Sequence, residues 1–185
     1  MSAEEEGATP RELLLESCRR NNASLLTSLL TPSSPQSHPS LASPPQRAHF
    51  LNTTTDGIGQ CALHVAALNG SCEVLDVLLD QDGLEVDPID KIEGDTPLHK
   101  AVRYGNDGND EGGALAMVEM LVDAGADIRI RNKGKLKPID LVERHVPKVK
   151  EVLQKAEVAL MVADEVAVDS KEEDEGPAGS ASDSD

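Results

Sequence analysis

At 185 residues the chain has room for one domain of ordinary size with flanking tails. Its hydrophobic fraction of 38% includes one Tyr, one Phe and no Trp, too little bulk for a wide globular core but suited to a thin stack in which Leu, Val and Ala pack only against neighbouring units. A formal net charge of −17 argues against nucleic acid or an anionic membrane as partner, since both would be repelled, and leaves basic proteins attractive.

Residues 1–9 read as a disordered acidic lead. Glu4, Glu5 and Glu6 stand where a signal peptide or mitochondrial presequence would be basic, and no apolar run reaches the roughly eighteen residues of a membrane span. The protein is therefore expected in the cytoplasm, the nucleus or both, with Cys18, Cys61 and Cys72 reduced and buried. From Pro10 an apolar stripe of helical period runs through Leu13, Leu14 and Cys18, breaks at Asn21-Asn22, and resumes at Leu25, Leu26, Leu29 and Leu30. The Pro/Ser-rich stretch 31–50 follows. Between Thr31 and Pro45 the density of proline removes donors and favours extended backbone, which predicts a mobile loop. Ser34 and Ser43 each precede a proline there, the form that proline-directed kinases modify.

A second helix pair is predicted at Ala62–Leu68 and over the stripe Cys72, Val74, Leu75, Leu78 and Leu79, joined by Asn69-Gly70. A third opens at Thr96-Pro97, ends near Asn106, and is interrupted by an insert at 106–113 before a helix from Leu115 to Ala124. A fourth opens at Pro138-Ile139-Asp140-Leu141, and Val149, Val152, Leu153, Ala156 and Leu160 give it a closing helix. Residues 161–185 read as a disordered acidic tail; from Asp164 onward the net charge is −8, nearly half the total. Ser180 and Ser182 lie three residues before a carboxylate, the pattern acidophilic kinases read.

Two of these pairs are copies of one another. His64 and His99 align without a gap at a separation of 35 residues, each preceded by a Gly able to take positive φ and a helix-opening position, Cys61 or Thr96. Thr96, Pro97, Leu98, His99 and Ala101 match the TPLHxA signature of the ankyrin repeat, which this sequence resembles; Leu63, His64 and Ala66 keep it in part, with Cys61 and Ala62 for Thr and Pro. Gly125-Ala126-Asp127-Ile128 matches the family's finger-leading segment, whereas the fourth copy has Lys137 for Thr and Lys135 where the family places Gly. The resemblance implies an all-α ankyrin-repeat solenoid of about four helix-turn-helix units, 10–30, 52–90, 91–132 and 133–160, with short β-hairpin-like fingers, cap-like outer units and disordered termini. The first interface, interrupted by the long insert, is expected to be the weakest. The layout is similar to that of small intracellular, fungal-type ankyrin proteins with acidic tails.

For function, the resemblance implies that His64 and His99 hydrogen-bond backbone between units rather than act chemically. No His or Cys follows either at the third or fourth position to complete a metal site, and there is no phosphate loop, nucleophile elbow or HExxH. Asp107-x-Asn109-x-Glu111-Gly112 begins like a calcium loop, but its twelfth position is Val118. No enzyme, metal or cofactor is expected. Charge is segregated between fingers: Asp87, Asp90, Glu93 and Asp95 in one, Arg129, Arg131, Lys133, Lys135 and Lys137 in the next. In the family, finger tips and helix A line the concave face that grips partners, so a bipolar groove is implied. The expectation is a monomeric, non-enzymatic adaptor that docks a partner protein there. The alternative is an escort chaperone for a basic client such as a ribosomal protein or histone, using the acidic tail, which in a third arrangement would fold back on the basic finger.

Overall fold

The computed structural model describes residues 8–34, 41–108 and 110–169. Helix α1 (Pro10–Arg20) starts where Thr9 and Glu12 cap each other, the Glu12 amide donating to Thr9 Oγ1 at 3.3 Å and the Thr9 amide to Glu12 Oε2 at 2.8 Å. It ends at Asn21, whose φ of 50° lets the chain reverse into α2 (Ala23–Leu30), capped by the Asn22 side chain. Helix α3 (Pro44–Thr53) comes next, then the pairs α4 (Ala62–Leu68) with α5 (Cys72–Leu79) and α6 (Pro97–Asn106) with α7 (Glu111–Asp123). A 3-10 turn (Pro138–Leu141) and the long α8 (Pro147–Asp169) complete the described chain.

The helices form two layers. In one, α1 packs on α4, α4 on α6, and α6 on the 3-10 turn; in the other, α2 packs on α5, α5 on α7, and α7 on α8. Leu14, Leu63 and Leu98 from the first layer and Leu26, Leu75, Met117 and Leu153 from the second are fully buried, each worth about 1.5–3 kcal/mol. The first interface is continuous despite the insert: Ser71 Oγ donates to the Cys18 carbonyl, and the Val74 amide donates to Asn21 Oδ1 at 3.2 Å. Fingers project between units. Among the described residues they contain no strand, only a bridge between Thr55 and Cys61, and each is closed across its base by a backbone bond: Asp56 N to Gln60 O at 2.8 Å, Asp90 N to Asp95 O at 3.0 Å, and Asn132 N to Leu136 O at 3.0 Å.

The structure corrects four boundaries. The Pro/Ser-rich insert is not all loop, because its end is α3. Ser43 takes the cap position and donates to Gln46 Oε1 through both its amide and its hydroxyl, while Pro44 and Pro45 fill the first turn, where a missing N–H costs nothing. Leu41 and Leu51 are buried, and Asn52 donates to the Gly83 carbonyl and accepts from the Glu85 amide, both at 2.9 Å. The insert at 106–113 is shorter than expected, since Asp110 accepts from the Gly112 amide at 3.0 Å and opens α7 at Glu111. The fourth unit's opening helix is a single 3-10 turn. The region 161–185, expected to be disordered, is helical as far as Asp169. Residues 1–7 of the acidic lead, 35–40 of the insert and 170–185 of the tail, with Ser180 and Ser182, lie outside the described residues.

Candidate interaction surface

The acidic finger withdraws two of its carboxylates from solvent. Asp90 and Asp95 are 3% and 0% exposed, because α6 sends two cations back into the finger that precedes it. Lys100 Nζ lies 2.8 Å from Asp90 Oδ2, 2.6 Å from Glu93 Oε2 and 3.1 Å from Asp95 Oδ2. Arg103 Nε donates to Asp95 Oδ2 at 2.7 Å, and Asn132, from the next finger, donates to Asp95 Oδ1 at 2.8 Å. Asp90 Oδ1 accepts the amides of Glu93 and Gly94, each at 2.8 Å, so that carboxylate also shapes the turn. Burial alone would raise the carboxyls of Asp95 and Asp90. The hydrogen bonds outweigh it: those from Asn132, Arg103 and Lys100 hold Asp95 well below the carboxylate range, and those from Lys100 and the turn amides lower Asp90. Burial disfavours the Lys100 ammonium, yet its carboxylate partners raise it above the usual lysine value. The carboxylates of Asp90, Glu93 and Asp95 approach within 4.8 Å of one another, but the place a metal ion would take is filled by Lys100. Asp87 is likewise engaged, accepting the Asp127 amide at 2.8 Å. Of the expected acidic half of a bipolar groove, Asp90 and Asp95 are therefore internal structure, Asp87 is half-buried, and Glu93, 43% exposed, is paired with Lys100.

The signature histidines are structural, and their tautomer follows from their partners. The Cys61 amide donates to His64 Nδ1 at 3.3 Å, so Nε2 carries the proton and donates to the Asp95 carbonyl at 2.8 Å. His99 repeats the arrangement, accepting from the Thr96 amide at 3.2 Å and donating to the Leu136 carbonyl at 3.0 Å. A second proton on either ring would face an N–H; burial, the main cause, together with this geometry keeps both imidazoles neutral and lowers their pKa. All three thiols are free, but Cys72 is half-buried and not buried as expected; loss of solvent raises each of them, Cys18 to about 12, which leaves them poor nucleophiles. Thr96, Pro97, Leu98, Ala101, Leu63 and Ala66 are buried beside the histidines.

The basic finger is different. Arg129, Arg131, Lys133 and Lys135 are exposed, whereas Lys137 is half-buried and pairs with Glu157 of α8 at 2.6 Å. Arg129 is held by Asp127 at 3.0 Å, and Arg131 donates to the Lys135 carbonyl at 2.8 Å. Lys135 has φ 61°, the left-handed geometry that Gly59 and Gly94 supply in the preceding fingers, so the missing family glycine changes the strain and not the turn. Residues outside the charge reading share this face. Ile58, Ile89, Ile92 and Leu136, at 49%, 59%, 58% and 40%, are large apolar side chains exposed on the fingers. Lys100, Arg103 and Asn132 were also missed; the signal for the first two was two cations one and two turns after an acidic finger. Of the modification candidates, Ser34 is half-buried in a turn and Ser43 caps α3.

The ankyrin-repeat family profile, which describes three copies of the repeat, matches residues 13–132. An ankyrin repeat-containing protein of Saccharomyces cerevisiae is 40% identical over 158 residues, covering 84% of this chain and 82% of the yeast protein. The inhibitor of Bruton tyrosine kinase of Xenopus laevis is 32% identical over 95 residues, covering 51% of this chain and 6% of that protein.

Proposed function

Because the chain belongs to the ankyrin-repeat family, whose repeats indicate a protein-interaction module, we propose that it is a non-enzymatic adaptor that docks a partner protein on its finger and helix A face. The observation that carries this reading is the division of labour within each unit. The signature residues are buried in holding one unit to the next, while isoleucines and basic side chains stand exposed on the fingers they brace. Exposed apolar side chains on a rigid frame lose little entropy on binding. The escort alternative has less support. It would hold a basic client on the acidic tail, of which residues 170–185 lie outside the described residues, and it gains nothing from the finger, where Asp90 and Asp95 are paired with Lys100 and Arg103. The adaptor acts as a monomer in the cytoplasm or nucleus.

The test compares proteins co-purifying with the full chain and with an Ile92→Ser variant, quantified by mass spectrometry. A partner bound on the finger face is lost from the variant while its melting temperature stays unchanged. Equal recovery of every partner by both would reject the face.

A further inference from the structure

The finger edge is continuous from one unit to the next. The stem of Lys91 lies across Gly59, where an added Cβ would come within 2.7 Å of it, so the tip bearing Ile58 abuts the tip bearing Lys91 and Ile92. The Lys133 amide donates to the Glu93 carbonyl at 2.8 Å, and its ammonium donates to the carbonyls of Lys91 and Ile92. Ile58, Lys91, Ile92 and Lys133 therefore sit side by side, with Arg131 and Lys135 on the far end of the row.

The sign of this edge is opposite to that of the chain. Twelve acidic residues against a single lysine lie in residues 1–7 and 164–185, whereas near the edge Asp90 and Asp95 are buried against Lys100 and Arg103, and Glu93, 43% exposed, is paired with Lys100. At physiological salt a charge is felt over about 8 Å, so local cations rather than the overall balance govern what docks. Carboxylates lie along this row too: Asp127 against Arg129, Asp140 3.9 Å from Arg131, and Asp56, whose Oδ1 accepts the Ile58 amide at 3.0 Å.

We propose that the finger edge takes an acidic segment of a partner protein in which large apolar side chains are interspersed among carboxylates. The apolar groups seat on Ile58 and Ile92, and the carboxylates pair with Lys91, Arg131 and Lys135. This rests on the docking face proposed above and supplies its specificity. It also reverses the expectation of a basic partner. The chain's own residues 170–185 match the edge in charge but contain no large apolar side chain, so they satisfy only half of it.

The experiment is selection of a random-peptide phage library on the immobilised full-length protein, followed by binding of the enriched peptides to wild type, Ile92→Ser and Lys135→Gly. Lys135→Gly removes a charge from a left-handed position that glycine prefers, so lost binding cannot be lost folding. The expected pool is rich in Asp and Glu interspersed with Leu, Ile or Phe, and each variant weakens it by about five- to tenfold. Enrichment of acidic peptides without apolar residues, or competition by a synthetic 170–185 peptide as strong as by the selected ones, would overturn the proposal in favour of the chain's own tail. Basic apolar peptides that still lose affinity with Ile92→Ser would overturn the chemistry and leave the docking face standing. No enrichment, or peptides indifferent to both substitutions, would overturn both.

Discussion

Removing the Lys100 ammonium is the most incisive perturbation of this molecule. Its side chain is 4% exposed, and it faces Asp90 and Asp95 carboxylates that are 2% and 0% exposed, with Glu93 as third partner. Lys100→Met keeps the stem and deletes the charge, leaving Arg103 to offset three carboxylates. Breaking a buried ion pair from one side costs about 3–5 kcal/mol because the remaining charge is stranded. For a domain of this size that lowers the melting temperature by roughly 6–20 °C. Urea denaturation at fixed protein concentration measures the loss directly, and its pH dependence identifies the cause. In wild type, Asp90 and Asp95 are depressed, so their stabilisation is present above their unfolded pKa near about 4 and is lost as pH falls below it. In Lys100→Met the stranded carboxylates titrate upward, so the deficit relative to wild type shrinks as pH is lowered from neutral toward 5. A deficit below about 1 kcal/mol at pH 7, or one that does not change with pH, would refute the network as a source of stability.

Three further outcomes are expected. Lys135→Gly stabilises the protein by about 0.5–1 kcal/mol in thermal melts, because relief of the left-handed strain exceeds the added unfolded-state entropy. The depressed His64 and His99 remain neutral in the fold while their unfolded counterparts protonate below about 6.5, so wild-type stability declines as pH drops through that value, and a His64→Gln, His99→Gln double variant shows a flatter profile between pH 7 and 5.5. Leu51→Ala costs about 2–5 kcal/mol, and amide exchange shows protection along residues 47–53 that a loop would lack.

What could be read from the sequence was whatever repeats with a period. Thr96 to Ala101 located α6, its copy located α4, and the leucine stripes located α1, α2 and α5, since a helix that buries one face must write that face every third or fourth residue. Helix α3 escaped because Pro44 and Pro45 look the same whether they break a helix or begin one, and only the cap at Ser43 decides. The surface was harder. Asp90 and Asp95 looked like solvated charges until Lys100, at the variable position inside the signature, was found among them; a side chain reaching back from a helix to a finger has no sequence period. Ile58, Ile89 and Ile92 were passed over for the converse reason, being single apolar residues in turns where no stripe announces them.

The bond pair made by Asn52 has a mechanical consequence. A solenoid pulled from its two ends sheds units one after another, each step releasing the contour length of a single unit because each holds only its neighbours. Here, Asn52 ties the end of α3 to Gly83 and Glu85, past the C-terminal end of α5 in the helix pair that α3 precedes. A rupture front travelling from the N-terminus therefore meets a clamp that spans α4 and α5. Under load these two helices are shielded until the clamp gives way, and then their slack is released in one long extension.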